Sequence, residues 1–242
     1  MSRVGDRARL EARVARKSFR TASGQSVPVI ANLSFALEEG ETGALIGPSG
    51  CGKSTLMRIL AGLDRNFDGS VHIPTHGRVG MVFQEPRLLP WRSLEDNVRL
   101  AAPEASEAEV AALFAALGLS EHPTHFPGEL SVGLARRAAL ARALAVRPIL
   151  LLLDEPFVSL DAPLARQLQR DLARLVESRG MITVLVTHDV DEAIALADRI
   201  FVLSARPAHV MGEIRVASPR AAMTGEEGKA VAARIEALRQ VG

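Results

Sequence analysis

The sequence predicts an α/β fold with a largely parallel sheet and a helical segment inserted near residues 90–148. Two observations lead to this fold class. Short apolar runs of strand length alternate with longer amphipathic stretches, which is typical of parallel strands linked by helices. One predicted strand–helix junction is rich in glycine, as phosphate-binding turns are. Because no long polar linker interrupts the 242 residues, we expect one domain spanning 1–242.

The predicted elements follow in order along the chain. A strand over 42–46 precedes a helix over 53–61, and a short strand follows at 79–83. Residues 93–119 show helical periodicity, within which Ser106 and Glu109 have the spacing of a capping box. After these come a helix over 131–145, a strand over 149–153, a helix beginning at Pro163, a strand over 181–186, a helix capped by Asp189, strands over 200–203 and 210–216, and an amphipathic helix over 226–240.

Composition and charge limit the function classes. The 29 basic residues nearly balance the 28 acidic ones, and this balance argues against a dedicated nucleic-acid binder. The single cysteine, Cys51, excludes an intrachain disulfide and fits a reducing compartment. Residues 1–16 lack the apolar stretch of a secretory signal, and no apolar run reaches the roughly 18 residues of a membrane span. We therefore expect a protein that reaches a membrane, if at all, through a partner.

The glycine-rich junction carries the strongest chemical signal. It matches G-x-x-x-x-G-K-[ST] and lies between a predicted strand and a predicted helix, as the motif requires. Its glycines let backbone N–H groups turn towards phosphate oxygens, and the following helix directs its positive end at the same anion. Lys53 is expected to reach the terminal phosphates of a nucleotide, and the Ser54 hydroxyl to ligate Mg²⁺. The nucleotide-binding residues predicted here are Gly47, Pro48, Ser49, Gly50, Cys51, Gly52, Lys53, Ser54 and Thr55.

Polar side chains follow three other predicted strands. Asp154 and Glu155 end the run 150–153; beside a phosphate loop they suit a water-mediated Mg²⁺ contact and a general base. Gln84 follows the strand at 79–83 and could ligate Mg²⁺ or hold the attacking water, although taken by itself it is better read as a solvated loop residue. His188 could bond the γ-phosphate, although a lone histidine is more often structural.

These residues resemble, as a set and in order, the ATPase family of ABC transporters. The resemblance covers about residues 13–205 and includes the phosphate loop, Gln84, a signature at 130–134, Asp154-Glu155, the turn Ser159-Leu160-Asp161 and His188. It implies a P-loop fold with antiparallel strands towards the N-terminus and an ATPase that uses ATP and Mg²⁺. The stretch 82–91 resembles more narrowly the importers of nitrate, sulfonate and taurine, which implies import of a small, possibly anionic solute.

The resemblance also implies that one copy is incomplete. In the family, two such domains face each other, and each ATP lies between the phosphate loop of one and the signature of the other. Ser131, Gly133 and Asp161 would then contact ATP or couple the two sites, although Ser131 and Asp161 also suit plain helix N-caps. Val132 and Leu134 stand where the family usually has glycine and glutamine, and we expect these two residues to weaken closure of the pair.

Further contacts are implied at two other places. Phe19 is the candidate for stacking on adenine, although it could equally pack beneath its strand. The segment from Gln84 to Trp91 lies where the family receives a helix of the membrane permease, although its leucines and Trp91 could simply pack inward. The implied partners are a second copy of the chain, the permease and, indirectly, a solute-binding protein. The implied location is the inner face of the cell membrane.

Two other function classes remain open at this point. ATPases of this family that act on DNA or ribosomes usually carry a long coiled-coil insertion or two domains in one chain. The 242 residues show neither feature, so nucleic acid is not expected as a partner. A nucleotide-binding regulator without catalysis is disfavoured by Lys53, Asp154, Glu155 and His188, whereas Val132 keeps it open.

Overall fold

A computed structural model describes residues 9–74, 77–158, 160–216 and 224–241 of the chain. Ser159 of the predicted turn therefore lies outside the described residues. The elements in chain order are β1 Arg9–Arg20, β2 Ser26–Glu38, β3 Thr42–Ile46, α1 Lys53–Leu60, β4 Asp68–His72, β5 Arg78–Val82, α2 Leu94–Ala101, α3 Glu107–Ala116, α4 Val132–Ala145, β6 Pro148–Asp154, α5 Ala162–Arg179, β7 Ile182–Thr187, α6 Val190–Leu196, β8 Arg199–Leu203, β9 Val210–Arg215 and α7 Gly225–Val241.

The chain divides into two compact units. The terminal unit comprises residues 1–75 and 182–242, and the middle unit comprises residues 76–181. Each predicted strand and helix is present, with ends that differ by a few residues at most. The helical stretch predicted at 93–119 consists of two helices, α2 and α3, separated by a turn at Pro103. A proline disfavours helical geometry in the residue before it, which accounts for the break.

The terminal unit contains two sheets. In one, β1 lies between β2 and β4 and pairs with both in antiparallel fashion. In the other, β3 pairs in parallel with β7 and β8, and β9 adds an antiparallel edge next to β8. The strands β3 and β7 are buried along their whole length, as expected for parallel strands covered on both faces. The predicted C-terminal helix is present as α7, with Ile235 fully buried where it packs near α6 and β9.

The middle unit combines a parallel strand pair with helices. β5 pairs in parallel with β6, and Val82 lies opposite Leu153. The helices α2, α3 and α4 pack on one another, and α4 also contacts both strands. The capping box predicted at Ser106 is present, since Ser106 and Glu109 exchange side-chain and backbone hydrogen bonds.

These observations confirm the α/β class with mainly parallel pairing and antiparallel strands towards the N-terminus. The single-domain prediction remains a prediction. Among the described helices, none combines the length and the apolar character of a membrane span.

Candidate functional site

The phosphate loop joins β3 to α1 in the terminal unit. Lys53 is the first residue of α1, and its side chain is buried. Its ammonium group donates hydrogen bonds to the carbonyl oxygens of Gly47 at 2.7 Å and Pro48 at 2.9 Å. α1 has no side-chain cap and no acidic residue in its first turn. Its first N–H groups and its positive end are therefore oriented for an anion beside Lys53.

Glycine is required at two positions of this loop for different reasons. Gly52 has a φ of 130°, and a Cβ there would lie 3.0 Å from Cγ1 of Val29. Gly50 has a φ of 75°, and no atom lies within 4 Å of the place its Cβ would take. Gly52 is thus restricted by both conformation and close packing, whereas Gly50 is restricted by conformation alone. Cys51 between them is 1% exposed.

The structure brings His188 to the same sheet edge as the phosphate loop. β7 runs parallel to β3, with Thr187 opposite Ile46, so His188 and Gly47 each follow the last residue of adjacent strands. His188 is exposed. Asp189 caps α6 by accepting hydrogen bonds from the N–H groups of Asp191 and Glu192, which fixes the backbone directly after His188.

Phe19 lies near the end of β1 and is 46% exposed. It therefore does not pack beneath the strand, and one face of its ring is covered by the ammonium group of Lys17, 4.7 Å from the ring centroid. Lys17 is itself 3% exposed and paired with Asp64. The exposed part of the ring is available to a planar ligand.

The middle unit places Gln84 beside the two carboxylates. The parallel pairing of β5 and β6 sets the two strand ends side by side, and Gln84 Nε2 donates to Glu155 Oε2 at 3.3 Å. Asp154 is 7% exposed, and Glu155 has a φ of 47°, a left-handed conformation that few non-glycine residues adopt.

Two arginines of α4 hold the loops that carry these residues, and sequence reasoning missed both. Arg136 donates to the carbonyl oxygens of Glu155 and Pro156. Arg142 donates to the carbonyl oxygens of Pro86 and Arg87, two and three residues after Gln84. Burial lowers the pKa of the Arg142 guanidinium, which nevertheless keeps its charge because its ordinary pKa is so high. Arginines spaced along an apolar helix were the only sequence signal available.

The signature residues lie at the N-terminus of α4. Ser131 is the N-cap and accepts a hydrogen bond from the N–H of Leu134. Val132 is 57% exposed at the first helical position. Gly133 is buried, and a Cβ there would lie 2.4 Å from Cδ2 of Leu164 in α5, so a larger residue would require the Leu164 side chain to move. Asp161 caps α5 by accepting a hydrogen bond from Leu164 N–H, as its N-cap interpretation predicts.

The donor types of the predicted metal ligands fit Mg²⁺. Ser54, Gln84 and Asp154 offer a hydroxyl, an amide carbonyl and a carboxylate, and Mg²⁺ prefers such hard oxygen ligands. Within the described ranges there is no cluster of three or more His, Cys, Asp or Glu side chains able to hold a metal.

The buried lysine, the glycine loop and the uncapped helix after a parallel strand define a P-loop nucleotide-binding protein. The profile of the ABC transporter family matches residues 30–158. The chain belongs to this family.

Relatives and solved structures agree with this membership. An aliphatic sulfonates import ATP-binding protein, SsuB 2, of Pseudomonas syringae pv. tomato is 43% identical over 208 residues, covering 86% of this chain and 87% of that protein. SsuB 1 of Streptomyces avermitilis is 47% identical over 193 residues, covering 79% and 74%. The dimeric ATP-binding cassette MJ0796, in a post-hydrolysis state with ADP and Pi, superposes with a TM-score of 0.77 at 28% identity, covering 86% and 99%. The resemblance to the sulfonate importer subgroup is thereby confirmed.

Proposed function

We propose that the chain is the ATP-binding and ATP-hydrolysing subunit of an ABC importer for a small sulfonate-like anion. The observation that carries the ATPase part is the phosphate loop, in which buried Lys53 lies over the loop carbonyls at the start of an uncapped helix. The solute class is supported by relatives that are named aliphatic sulfonate import proteins.

The terminal unit supplies the nucleotide-binding residues. The N–H groups of residues 49–55 surround the phosphates, Lys53 binds their terminal oxygens, and Phe19 stacks on adenine. Ser54, Gln84 and Asp154 would hold Mg²⁺, which neutralises charge on the phosphate oxygens when it is bound. His188 donates a hydrogen bond to the γ-phosphate and registers its loss.

Glu155 acts as the general base for hydrolysis. Its carboxylate is positioned by Gln84, and its backbone carbonyl is held by Arg136. A carboxylate restrained in this way can accept a proton from a water molecule aimed at the γ-phosphate. Gln84 contributes by holding that water and by keeping Glu155 in place.

A second copy of the chain completes each ATP site. Ser131, Gly133 and Asp161 of one copy would face the nucleotide of the other, a view supported by the dimeric assembly of the related cassette. ATP binding then closes the pair, and hydrolysis separates it.

The membrane permease docks at the segment from Gln84 to Trp91. Trp91 is 70% exposed. The buried side chain of Asn97 accepts a hydrogen bond from the N–H of Leu89 and donates one to the carbonyl oxygen of Leu89. An exposed aromatic side chain next to a rigid backbone is well suited to anchor a partner helix. A solute-binding protein acts on the outer face, and the chain itself lies on the cytoplasmic face of the membrane.

The test is the solution mass of Glu155→Gln with and without MgATP, measured by light scattering. Removing the base stops hydrolysis, so we expect bound ATP to hold two copies together and the mass to double. The matched control carries Lys53→Ala in addition and is expected to remain monomeric because it binds ATP poorly. A Glu155→Gln protein that binds ATP but stays monomeric would contradict the shared-site proposal. Failure of the parent chain to bind ATP would contradict the ATPase assignment.

A further inference from the structure

The turn between β8 and β9 reaches the phosphate loop. Arg206 lies at the tip of this turn, which we define as the β8–β9 turn, residues 204–209. Its Nη2 donates a hydrogen bond of 2.6 Å to the carbonyl oxygen of Gly50, 156 residues earlier in the chain. Sequence reasoning assigned nothing to this arginine.

Ser204 makes the β8–β9 turn rigid. Its side chain is 5% exposed, and its hydroxyl lies 2.8 Å from the carbonyl oxygen of Ala205 and 2.9 Å from Nδ1 of His209. The N–H of His209 donates back to the same hydroxyl at 3.0 Å, and the N–H of Ser204 donates to the His209 carbonyl. The two ends of the turn are therefore held together from inside.

The turn is also fixed to β2. Ala208 donates its N–H to the Val29 carbonyl at 2.8 Å and accepts from the N–H of Ala31 at 3.0 Å. Val29 is the residue against which Gly52 packs. The same strand thus supports both the phosphate loop and the turn that touches it, so Arg206 is presented at a fixed distance from the loop.

Gly50 is the place where such support matters most. Gly50 and Gly52 flank Cys51, and no atom lies within 4 Å of the place a Gly50 Cβ would take, so no side chain packs there. The Cys51 N–H donates to the Pro48 carbonyl at 3.3 Å, and Arg206 holds the carbonyl on the other side of the same peptide group at 2.6 Å. Because a trans peptide directs its C=O and N–H in opposite directions, holding the Gly50 carbonyl fixes the direction of the Cys51 N–H. The positively charged guanidinium also adds to the field that attracts polyphosphate.

We propose that Arg206 is a positioning residue for the phosphate-binding loop: it fixes the Gly50–Cys51 peptide and so raises affinity for the polyphosphate of the nucleotide. The proposal rests on the proposed nucleotide-binding function. It assigns Arg206 no contact with the reacting atoms, since its hydrogen bond is to the loop backbone.

The experiment compares Arg206→Gln, Arg206→Lys and Arg215→Gln by calorimetric titration with ATP and with inorganic tripolyphosphate. Arg215 is an exposed arginine of β9 in the same unit and serves as the charge-matched control. We expect Arg206→Gln to weaken both ligands about tenfold, as loss of one charge-assisted hydrogen bond predicts. Arg206→Lys should recover part of the affinity, and kcat for ATP should stay within about twofold of the parent value, because a loop-positioning residue acts on binding.

Phe19→Leu distinguishes weaker phosphate binding from loss of the contact with adenine. It removes the proposed adenine platform, so it should weaken ATP while leaving tripolyphosphate unchanged. Equal affinities of Arg206→Gln and Arg215→Gln would overturn the proposal, as would a loss of kcat with unchanged affinity. If the parent chain bound neither ligand, the nucleotide-binding function itself would fail. If thermal melting showed that Arg206→Gln is unfolded, the ligand affinities of Arg206→Lys would be compared with those of Arg215→Gln instead, and equal affinities would overturn the proposal.

Discussion

The pair of Lys17 and Asp64 shows what a single buried charge requires. The Lys17 ammonium is 3% exposed and lies 2.7 Å from Asp64 Oδ2 and 2.7 Å from the carbonyl oxygen of Asn66. A buried ammonium is stable only while its charge and its N–H groups are satisfied. Because Phe19 lies over this group, the pair also supports the proposed adenine platform.

We predict that Asp64→Ala is more destabilising than Lys17→Met. Asp64→Ala leaves a buried ammonium without its counter-ion, at an expected cost of about 3–5 kcal/mol in free energy of unfolding. Lys17→Met leaves a carboxylate that is more exposed and still accepts the N–H of Asn66. Urea unfolding measures both values. The double variant should regain part of the stability lost in Asp64→Ala, and equal losses in the two single variants would contradict this account.

Sequence reasoning at the residue scale succeeded where the chemistry is local. The phosphate loop could be assigned because its residues are consecutive and its flanking strand and helix have clear patterns. Arg206 and Arg142 could not be assigned, because each acts on a backbone carbonyl more than 50 positions away. Gly133 illustrates a different difficulty, since the sequence favoured a phosphate contact and did not reveal its close packing against Leu164.

At the scale of elements, Arg199 of β8 joins several strands through one guanidinium. It donates to both carboxylate oxygens of Glu213 in β9 at 2.8 and 2.9 Å, to the Ala36 carbonyl of β2, and to Glu41. The hydrogen bond from Arg199 holds the pKa of Glu213 below its ordinary value of 4.5, and the same contact raises the pKa of Arg199. The edge strand β9 is thus fixed by an interaction that depends on pH.

This contact predicts a specific acid sensitivity. Because the pKa of Glu213 is lower in the folded chain than in the unfolded chain, its contribution to stability is complete above pH 4.5 and is lost as the pH falls through the folded value. We expect Glu213→Gln to be less stable than the parent chain at neutral pH and the two stabilities to converge as the pH falls below 4.5 and through the lowered folded value. Urea unfolding at a series of pH values measures this, and parallel curves would contradict it.

The positions of elements were more predictable than the contacts between them. Strands such as β3 and β6 were identifiable because they are continuous apolar runs, and α5 because Asp161 and Pro163 mark its start. The hydrogen bonds from α4 to the loops after β5 and β6 were not predictable, because the two arginines that donate them lie on a helix that is mostly buried. The periodicity of apolar residues indicates which face of a helix is buried, but it does not indicate which arginines donate hydrogen bonds to backbone carbonyls.

At the scale of the whole molecule, we predict that the signature residues set the strength of closure between two copies. Val132 presents a branched apolar side chain, 57% exposed, next to the Ser131 cap. Leu134 provides no hydrogen-bond donor or acceptor in its side chain. If the signature faces the nucleotide of a second copy, both side chains reduce the polar contact available there.

Replacing both residues should therefore strengthen the closed pair. We predict that Val132→Gly with Leu134→Gln, in the Glu155→Gln background, forms the ATP-bound dimer about tenfold more tightly, equivalent to 1.4 kcal/mol. Light scattering over a dilution series with MgATP gives the dissociation constant. A glycine at the first helical position costs α4 up to about 1 kcal/mol, so thermal unfolding of the monomer is the control. A weaker dimer from a monomer of unchanged stability would mean that Val132 and Leu134 themselves contact the second copy, and that this chain has replaced polar contacts at its closing surface by apolar ones.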